Sequence, residues 1–438
     1  MSAKNTHRWW AHLLRVGLVA IALLIVSGKT DVVAQQVLDI CGCASTPNLQ
    51  PFDADIPATY PPGTVSSGTF TIPVPPDGIL RFSSFRFVRN QNLTFSRNAA
   101  NTPVTILVAG DFTLVGVAGC CPAFDLSGSA GSSGSSVTAG VGGLGGPGAF
   151  RGGDGSALPI NGFDIGGAGF GPGGGSPATA TVISTGGTFF GIPELLPLVG
   201  GSGGGGGSGF GANSSCTGGG GGGGGGGLLI AANGTLTITN VQLFTDGGNG
   251  GSVGNGSCAH GGSGGSGGAI RLVANRLVQG GTVNLFARGG NPAFDANTGT
   301  VGRIRFESID TSAQTQFFAS PPAIRITGPG PLSNPVSPTV AITQVNGNPV
   351  PALPQGYQGS IDLVLPAPGV TGVDIATTGV PSGTTVQVTA KARIGAAALV
   401  TTVPLTNCDT LGNCTATATF NLNAGAFVLE ARATFQVQ

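Results

Sequence analysis

Side chains able to do chemistry are sparse in this chain. Glu194, Glu307 and Glu430 are the only glutamates among 438 residues, His260 is the only histidine beyond His12, and charged residues make up 8%. A Ser-His-Asp or Cys-His nucleophile would therefore have to recruit His260 as its base. His260 lies in Ser257-Cys258-Ala259-His260-Gly261-Gly262, with Asp246 upstream. A glycine loop supplies little of the rigid shell that keeps a base within reach of its nucleophile, so the expectation is a solvent-exposed or loop-packing histidine. Cys216, Cys258 and His260 offer three metal donors, but not at a zinc-motif spacing. Asp111, Asp125, Asp246 and Asp295, with Arg271, Arg288 and Arg303, are what a sugar-cleaving carboxylate–arginine group would draw on. Aspartates at strand ends more often close turns onto their own backbone. No catalytic, cofactor-binding or metal-binding residue is assigned.

Phosphate-loop and dinucleotide signals carry no information here, because G-x-G-x-x-G recurs by composition alone. Ser27-Gly28-Lys29-Thr30 ends like a P-loop, but Leu23 stands where the motif requires glycine. Gly152-Gly153-Asp154-Gly155-Ser156 does not keep the calcium-binding nonapeptide frame. Thr235, Thr237 and Thr239 form one threonine row, too little for a regular crystal-binding face.

The elements that would position these residues are β-strands. With 82 Gly and 30 Pro, a helical protein is excluded, and 18 basic against 18 acidic residues excludes a basic nucleic-acid binder. Lys4, Arg8 and Arg15 precede an apolar run from Val16 to Val26, and Val32-Val33-Ala34 follows: the layout of a secretory signal peptide over residues 1–34. That run spans only about 16 Å as a helix, too short to cross a membrane, so no transmembrane span is expected after cleavage. All eight cysteines lie beyond it, and an oxidising compartment favours disulfides. The expected pairs are Cys408 with Cys414, Cys216 with Cys258, and Cys41/Cys43 with Cys120/Cys121.

An internal repeat organises the first two thirds. Val241-Gln-Leu-Phe-Thr-Asp-Gly-Gly248 recurs 42 residues later as Val283-Asn-Leu-Phe-Ala-Arg-Gly-Gly290, and Ile230-Ala-Ala-Asn233 recurs as Leu272-Val-Ala-Asn275. Thr105–Ala109, Phe112–Val115 and Phe124–Gly128 are a looser copy. Short alternating runs such as Leu236-Thr-Ile-Thr239 read as half-buried strands that cannot bury one face alone, so direct repetition favours parallel stacking. The expectation is an all-β chain: a parallel β-helix-like domain over 35–320, a Pro-rich linker over 321–338, and an immunoglobulin-like β-sandwich over 339–438. A β-sandwich of the repeated strands is the alternative for the first domain.

Glycine-rich insertions interrupt the repeat at about 127–227 and 247–268, including ten consecutive glycines from Gly218 to Gly227. Two readings stand. Glycine loses the most backbone freedom on folding, which argues for flexible loops. Extended glycine strands can also lie side by side and exchange backbone hydrogen bonds, with Phe150, Phe163, Phe170, Phe189, Phe190 and Phe210 as anchors.

Gly200–Gly207, the ten-glycine run into Leu228–Ala232, and Gly264-Gly-Ser-Gly-Gly-Ala-Ile-Arg-Leu-Val-Ala274 resemble a group of glycine-rich exported bacterial proteins of uncharacterised function. The resemblance covers about residues 70–306 and implies a β-rich surface or extracellular protein with no catalytic residues to carry over. The C-terminal pattern resembles immunoglobulin-like modules of bacterial surface proteins. The expected function is that of a non-enzymatic secreted or cell-surface structural or adhesive protein; a carbohydrate-active lyase or hydrolase is the alternative. Extracellular polysaccharide, other surface proteins and self-association through strand edges are the expected partners, with no cofactor and no nucleic acid.

Overall fold

The computed structural model describes residues 39–43, 46–117, 122–135, 137–157, 163–210, 216–253, 258–312, 314–332, 339–351, 362–365, 367–392, 399–409, 413–423 and 425–433. The expected signal peptide, Cys120 and Cys121 lie outside these residues.

Among the described residues, thirteen strands join in one parallel sheet, and their pairing sorts them into three ladders. The first runs through Ile79–Phe82, Val104–Val108, the opening residues of the long strands Gly227–Phe244 and Ala269–Phe286, then Arg303–Asp310 and Ile324–Thr327. The second joins Phe52–Asp53, Phe85–Val88 and Phe112–Val115 to the middle of the long strands. The third joins Phe70–Pro73, Leu93–Ser96 and Ala123–Asp125 to their ends, and closes on Phe318–Ser320. The repeat spans all three ladders: Val241 pairs with Val283 and Phe244 with Phe286.

Alternation explains why the sheet curls. In Val104–Val108, every second residue is fully buried, and the inward residues of all three ladders fall in one core with Phe52, Ile106, Leu236, Leu285 and Phe306. Like residues stack from rung to rung; Phe85 lies 4.5 Å from Phe52 and 4.6 Å from Phe112, ring centre to ring centre. Such pairs add about 0.5–1.5 kcal/mol each beyond the area they bury. Asn240 (φ 50°) and Gly281 (φ 59°) turn the left-handed corner between the second and third ladders, and Asn240 Oδ1 accepts the Thr282 N–H at 3.1 Å.

The chain ends in two antiparallel sheets. One comprises Thr339–Val345, Asn348–Pro349, Gly369–Thr378 and Cys414–Leu422; the other comprises Thr385–Ala392, Leu399–Pro404 and Phe427–Ala433. They share a core that includes Val373, Ile375, Val386, Val388 and Phe420. Residues 362–365 are irregular.

The stretch expected to be a linker is partly scaffold. Ile324–Thr327 is a strand paired with Arg305–Ser308, short enough to fit between prolines without containing one. Beyond it the chain is tied down by a buried charge cluster on the outer face of the first ladder. Arg271 Nε and Nη2 donate to Glu307 at 2.8 and 3.1 Å, Arg305 Nε donates at 2.5 Å, and the Gly330 N–H donates at 2.6 Å. Arg271 Nη2 also donates to Pro331 O at 2.9 Å.

Burial alone would raise the Glu307 pKa, but the hydrogen bonds from Arg271, Arg305 and Gly330 outweigh it and hold the carboxyl below its ordinary value of 4.5. The folded pKa lies below the unfolded one, so this contribution is complete above about pH 4.5 and fades as pH falls through the folded value. Glu307→Gln strands two guanidinium charges and is expected to lower stability by roughly 3 kcal/mol at pH 7. Denaturation at pH 7 and pH 3 checks this, with the difference between variant and wild type shrinking at the lower pH.

Candidate functional site

Three segments leave the third ladder and return to the first: residues 126–226, 245–268 and 287–302. At the exit the backbone changes its period. Up to Leu126, whose N–H donates to Phe244 O, pairing follows the two-residue alternation of a strand. Beyond it Gly128, Gly131 and Gly134 donate to Asp246, Asn249 and Ser252, one bond every third residue. A three-residue repeat is that of the polyproline-II helix, which has no internal hydrogen bonds and leaves every N–H and C=O pointing outward.

The run from Gly218 to Gly226 sits at the centre of this arrangement. Gly218, Gly221 and Gly224 donate to Ser156, Gly153 and Phe150; Gly219, Gly222 and Gly225 donate to His260, Ser263 and Ser266; Gly220, Gly223 and Gly226 donate to Ser132, Ser129 and Leu126. Their carbonyls are matched in three further directions. Gly218, Gly221 and Gly224 accept from Gly140, Gly143 and Gly146; Gly219, Gly222 and Gly225 from Gly207, Gly204 and Gly201; Gly220 and Gly223 from Gly251 and Gly248. One extended strand thus has six neighbours, at N···O distances of 2.7–3.3 Å.

Glycine is required by the closeness of these neighbours. A Cβ on Gly222 would overlap the Gly248 carbonyl, and one on Gly220 would overlap that of Val141. Strands at the boundary keep glycine only where they face inward, as in Gly128-x-x-Gly131-x-x-Gly134 and Gly247-Gly-Asn-Gly-Gly251. The side chains between them point out and serve the next repeat: Asp246 Oδ1 accepts the Arg288 N–H at 2.6 Å, and Asn249 Oδ1 accepts the Asn291 N–H at 2.8 Å. The insertions have two readings, flexible loops or ordered polyglycine; their described residues form a hydrogen-bonded layer.

Far from the ladders, the strands of the layer turn back at a common end. Ser135 and Thr138 close one turn and Thr179 and Val182 another, while Gly209 pairs with both Asp164 and Ala259. Cys216 and Cys258 are disulfide-bonded across this end, with Cα atoms 5.3 Å apart. His260 Nδ1 lies 2.9 Å from Asp295 Oδ2, and the His260 N–H donates to Ser208 O at 2.8 Å. Burial raises the Asp164 pKa above its ordinary value.

These positions revise several expectations. Of the two placements expected for His260, solvent-exposed or loop-packing, the second holds: it packs within the layer, 8% accessible, and its acidic partner is Asp295 rather than Asp246. Asp295 lies within the third segment, residues 287–302, and the hint in the sequence was its place after the repeated Gly289-Gly290. The four rung-end aspartates are not gathered in one place. Asp111 Oδ1 accepts the Thr235 N–H at 2.7 Å, Asp125 Oδ1 accepts the Ser127 N–H at 2.8 Å, and Asp246 pairs with Arg288. Arg303 donates to Gly191 O at 2.8 Å.

Of the disulfides, Cys216–Cys258 and Cys408–Cys414 form as expected. Cys41 and Cys43 are bonded to each other instead of to Cys120 or Cys121. Both are buried against Leu229, Ala231 and Val273 on the outside of the first ladder. They are pinned there by Asn233 Oδ1 accepting the Cys41 N–H and Asp39 Oδ1 accepting the Cys43 N–H, each at 2.8 Å.

No protein-family model, curated protein or solved structure matches the chain.

Adding one methyl group at the centre of the layer, Gly222→Ala, forces backbones apart on several sides and is expected to cost upwards of 3 kcal/mol. Ser133→Ala, on the exposed boundary, is expected to be neutral within about 0.5 kcal/mol; paired thermal melts check both. Replacing Cys216 and Cys258 together by serine opens a loop of 42 residues and is expected to lower stability by about 4 kcal/mol, measured by denaturant unfolding without reductant.

Proposed function

We propose that this is a non-enzymatic secreted or cell-surface protein with a structural and adhesive role, holding out a rigid glycine layer on a β scaffold. The observation that carries the reading is the six-neighbour packing of Gly218–Gly226, closed at its far end by the Cys216–Cys258 disulfide. Such an assembly holds its described turn at Thr179–Val182 in a fixed position, which suits a surface that must meet a partner without ordering itself first. Val137, Val182 and Phe294, at or beside the layer's turns, are 68%, 57% and 60% exposed, offering apolar contact where a soluble surface would carry charge.

In this reading the three parallel ladders are a β-helix, since one repeat makes one circuit of three strands around a single core. The C-terminal pair of antiparallel sheets is an immunoglobulin-like module used for adhesion or assembly. The resemblance to glycine-rich exported bacterial proteins, a signal peptide over residues 1–34 and three disulfides point to an extracellular or cell-surface location. Extracellular polysaccharides and surface proteins are the partners that fit it. The carbohydrate-cleaving alternative would need the rung-end aspartates to work as a group, whereas Asp111, Asp125 and Asp246 each serve their own hydrogen bonds and Asp295 pairs with His260.

The purified exported protein, tested on a panel of polysaccharides and intact cells, is expected to bind at least one surface without cleaving it. Val182→Asp and Phe294→Asp together should weaken that binding tenfold or more while leaving thermal stability unchanged. Release of any shortened glycan would overturn the non-enzymatic reading, and undiminished binding by the double variant would overturn the role given to the turns.

A further inference from the structure

Part of the outward face of the three-stranded C-terminal sheet, around Lys391 and Glu430, is covered and not turned to solvent. Lys391, on Thr385–Ala392, is the only lysine among the described residues and is 7% exposed. Its Nζ donates to Gly169 O at 3.0 Å and to Gly171 O at 3.2 Å, and lies 3.2 Å from Glu430 Oε2. Glu430, on the neighbouring strand Phe427–Ala433, accepts the Gly171 N–H through Oε1 at 2.9 Å. Arg432, two residues further on, lies 3.7 Å from the centre of the Phe190 ring.

Lysine and glutamate together thus read two carbonyls and one N–H of a single turn. That turn has to be glycine. Gly171 has φ +96°, and a Cβ there would strike the Phe150 ring; a Cβ on Gly174 would come within 3.0 Å of Lys391 Nζ. A buried ammonium is costly unless its donors are satisfied, and here the glycine carbonyls and Glu430 satisfy it.

We propose that this face of the sandwich is a binding site for glycine-turn peptide, filled here by the chain's own residues 169–174 and suited to the same turn of a second copy. The contact is polar and local: the cores of scaffold and sandwich are separate clusters. Interfaces of that kind between domains of one chain are releasable. Attachment within one chain raises the local concentration of the turn to roughly millimolar, so the site is normally occupied from within. The proposal does not depend on the adhesive reading; it concerns backbone recognition alone.

The test uses the full chain and a fluorescent peptide with the sequence of residues 166–175. Gly174→Val blocks the internal turn and vacates the site, so the variant is expected to bind the peptide at least tenfold more tightly than wild type. Adding Lys391→Met should abolish that binding. Equal binding by wild type and Gly174→Val, or binding indifferent to Lys391→Met, would overturn the proposal. Should Gly174→Val fail to fold, Lys391→Met alone is compared with wild type by amide hydrogen exchange. The Gly171 amide is expected to exchange at least tenfold faster while that of Gly222 is unchanged; unchanged exchange at Gly171 would overturn the proposal.

Discussion

The missing Cβ at residues 218–226 is the constraint on which the rest of the layer depends. Without side chains, extended strands approach until each N–H and C=O meets a neighbour, and the three-residue repeat distributes those bonds around the strand. Each bond contributes only about 1 kcal/mol net, but a buried strand left without partners would cost as much or more at every group. Order therefore comes from completeness: the central strand is stable because six others surround it, and the outer ones are held by the scaffold from which they emerge.

The scaffold and the layer solve the same problem with different periods. In the ladders, two-residue alternation sends apolar side chains inward and lets Phe52, Phe85 and Phe112 stack. At Leu126, Thr245 and Ala287 the chain leaves the third ladder, and rung-to-rung bonding continues from alternating to three-residue spacing. Each glycine segment starts in register with the one beside it because the strand before it is already in register. The 42-residue offset that pairs Val241 with Val283 also sets the bonds from Asp246 to Arg288 and from Asn249 to Asn291.

Much of the scaffold was legible in the sequence, since the repeat keeps a 42-residue offset and its strands alternate. Residues of the insertions were not, because a run of glycine has no pattern of its own. Ten identical residues look the same whether free or surrounded, and what separates the cases is the Gly-Gly-x spacing of their neighbours. The prolines at positions 321–338 concealed the four-residue strand at Ile324–Thr327, which owes its place to pairing with Arg305–Ser308 and to the Arg271–Glu307 cluster beyond it. Lys391 and Arg432 alternate with apolar residues as solvent-facing side chains should, yet both reach residues of the layer. Alternation tells which side of a strand is polar and not what that side meets.

Amide hydrogen exchange of Gly218–Gly226 in the intact protein tests the account most directly. If these glycines are the interior of a hydrogen-bonded layer, their amides will be protected to the same degree as those of the adjoining strand Gly227–Phe244. Exchange at the rate of an unstructured glycine peptide, with the strand protected, would contradict it.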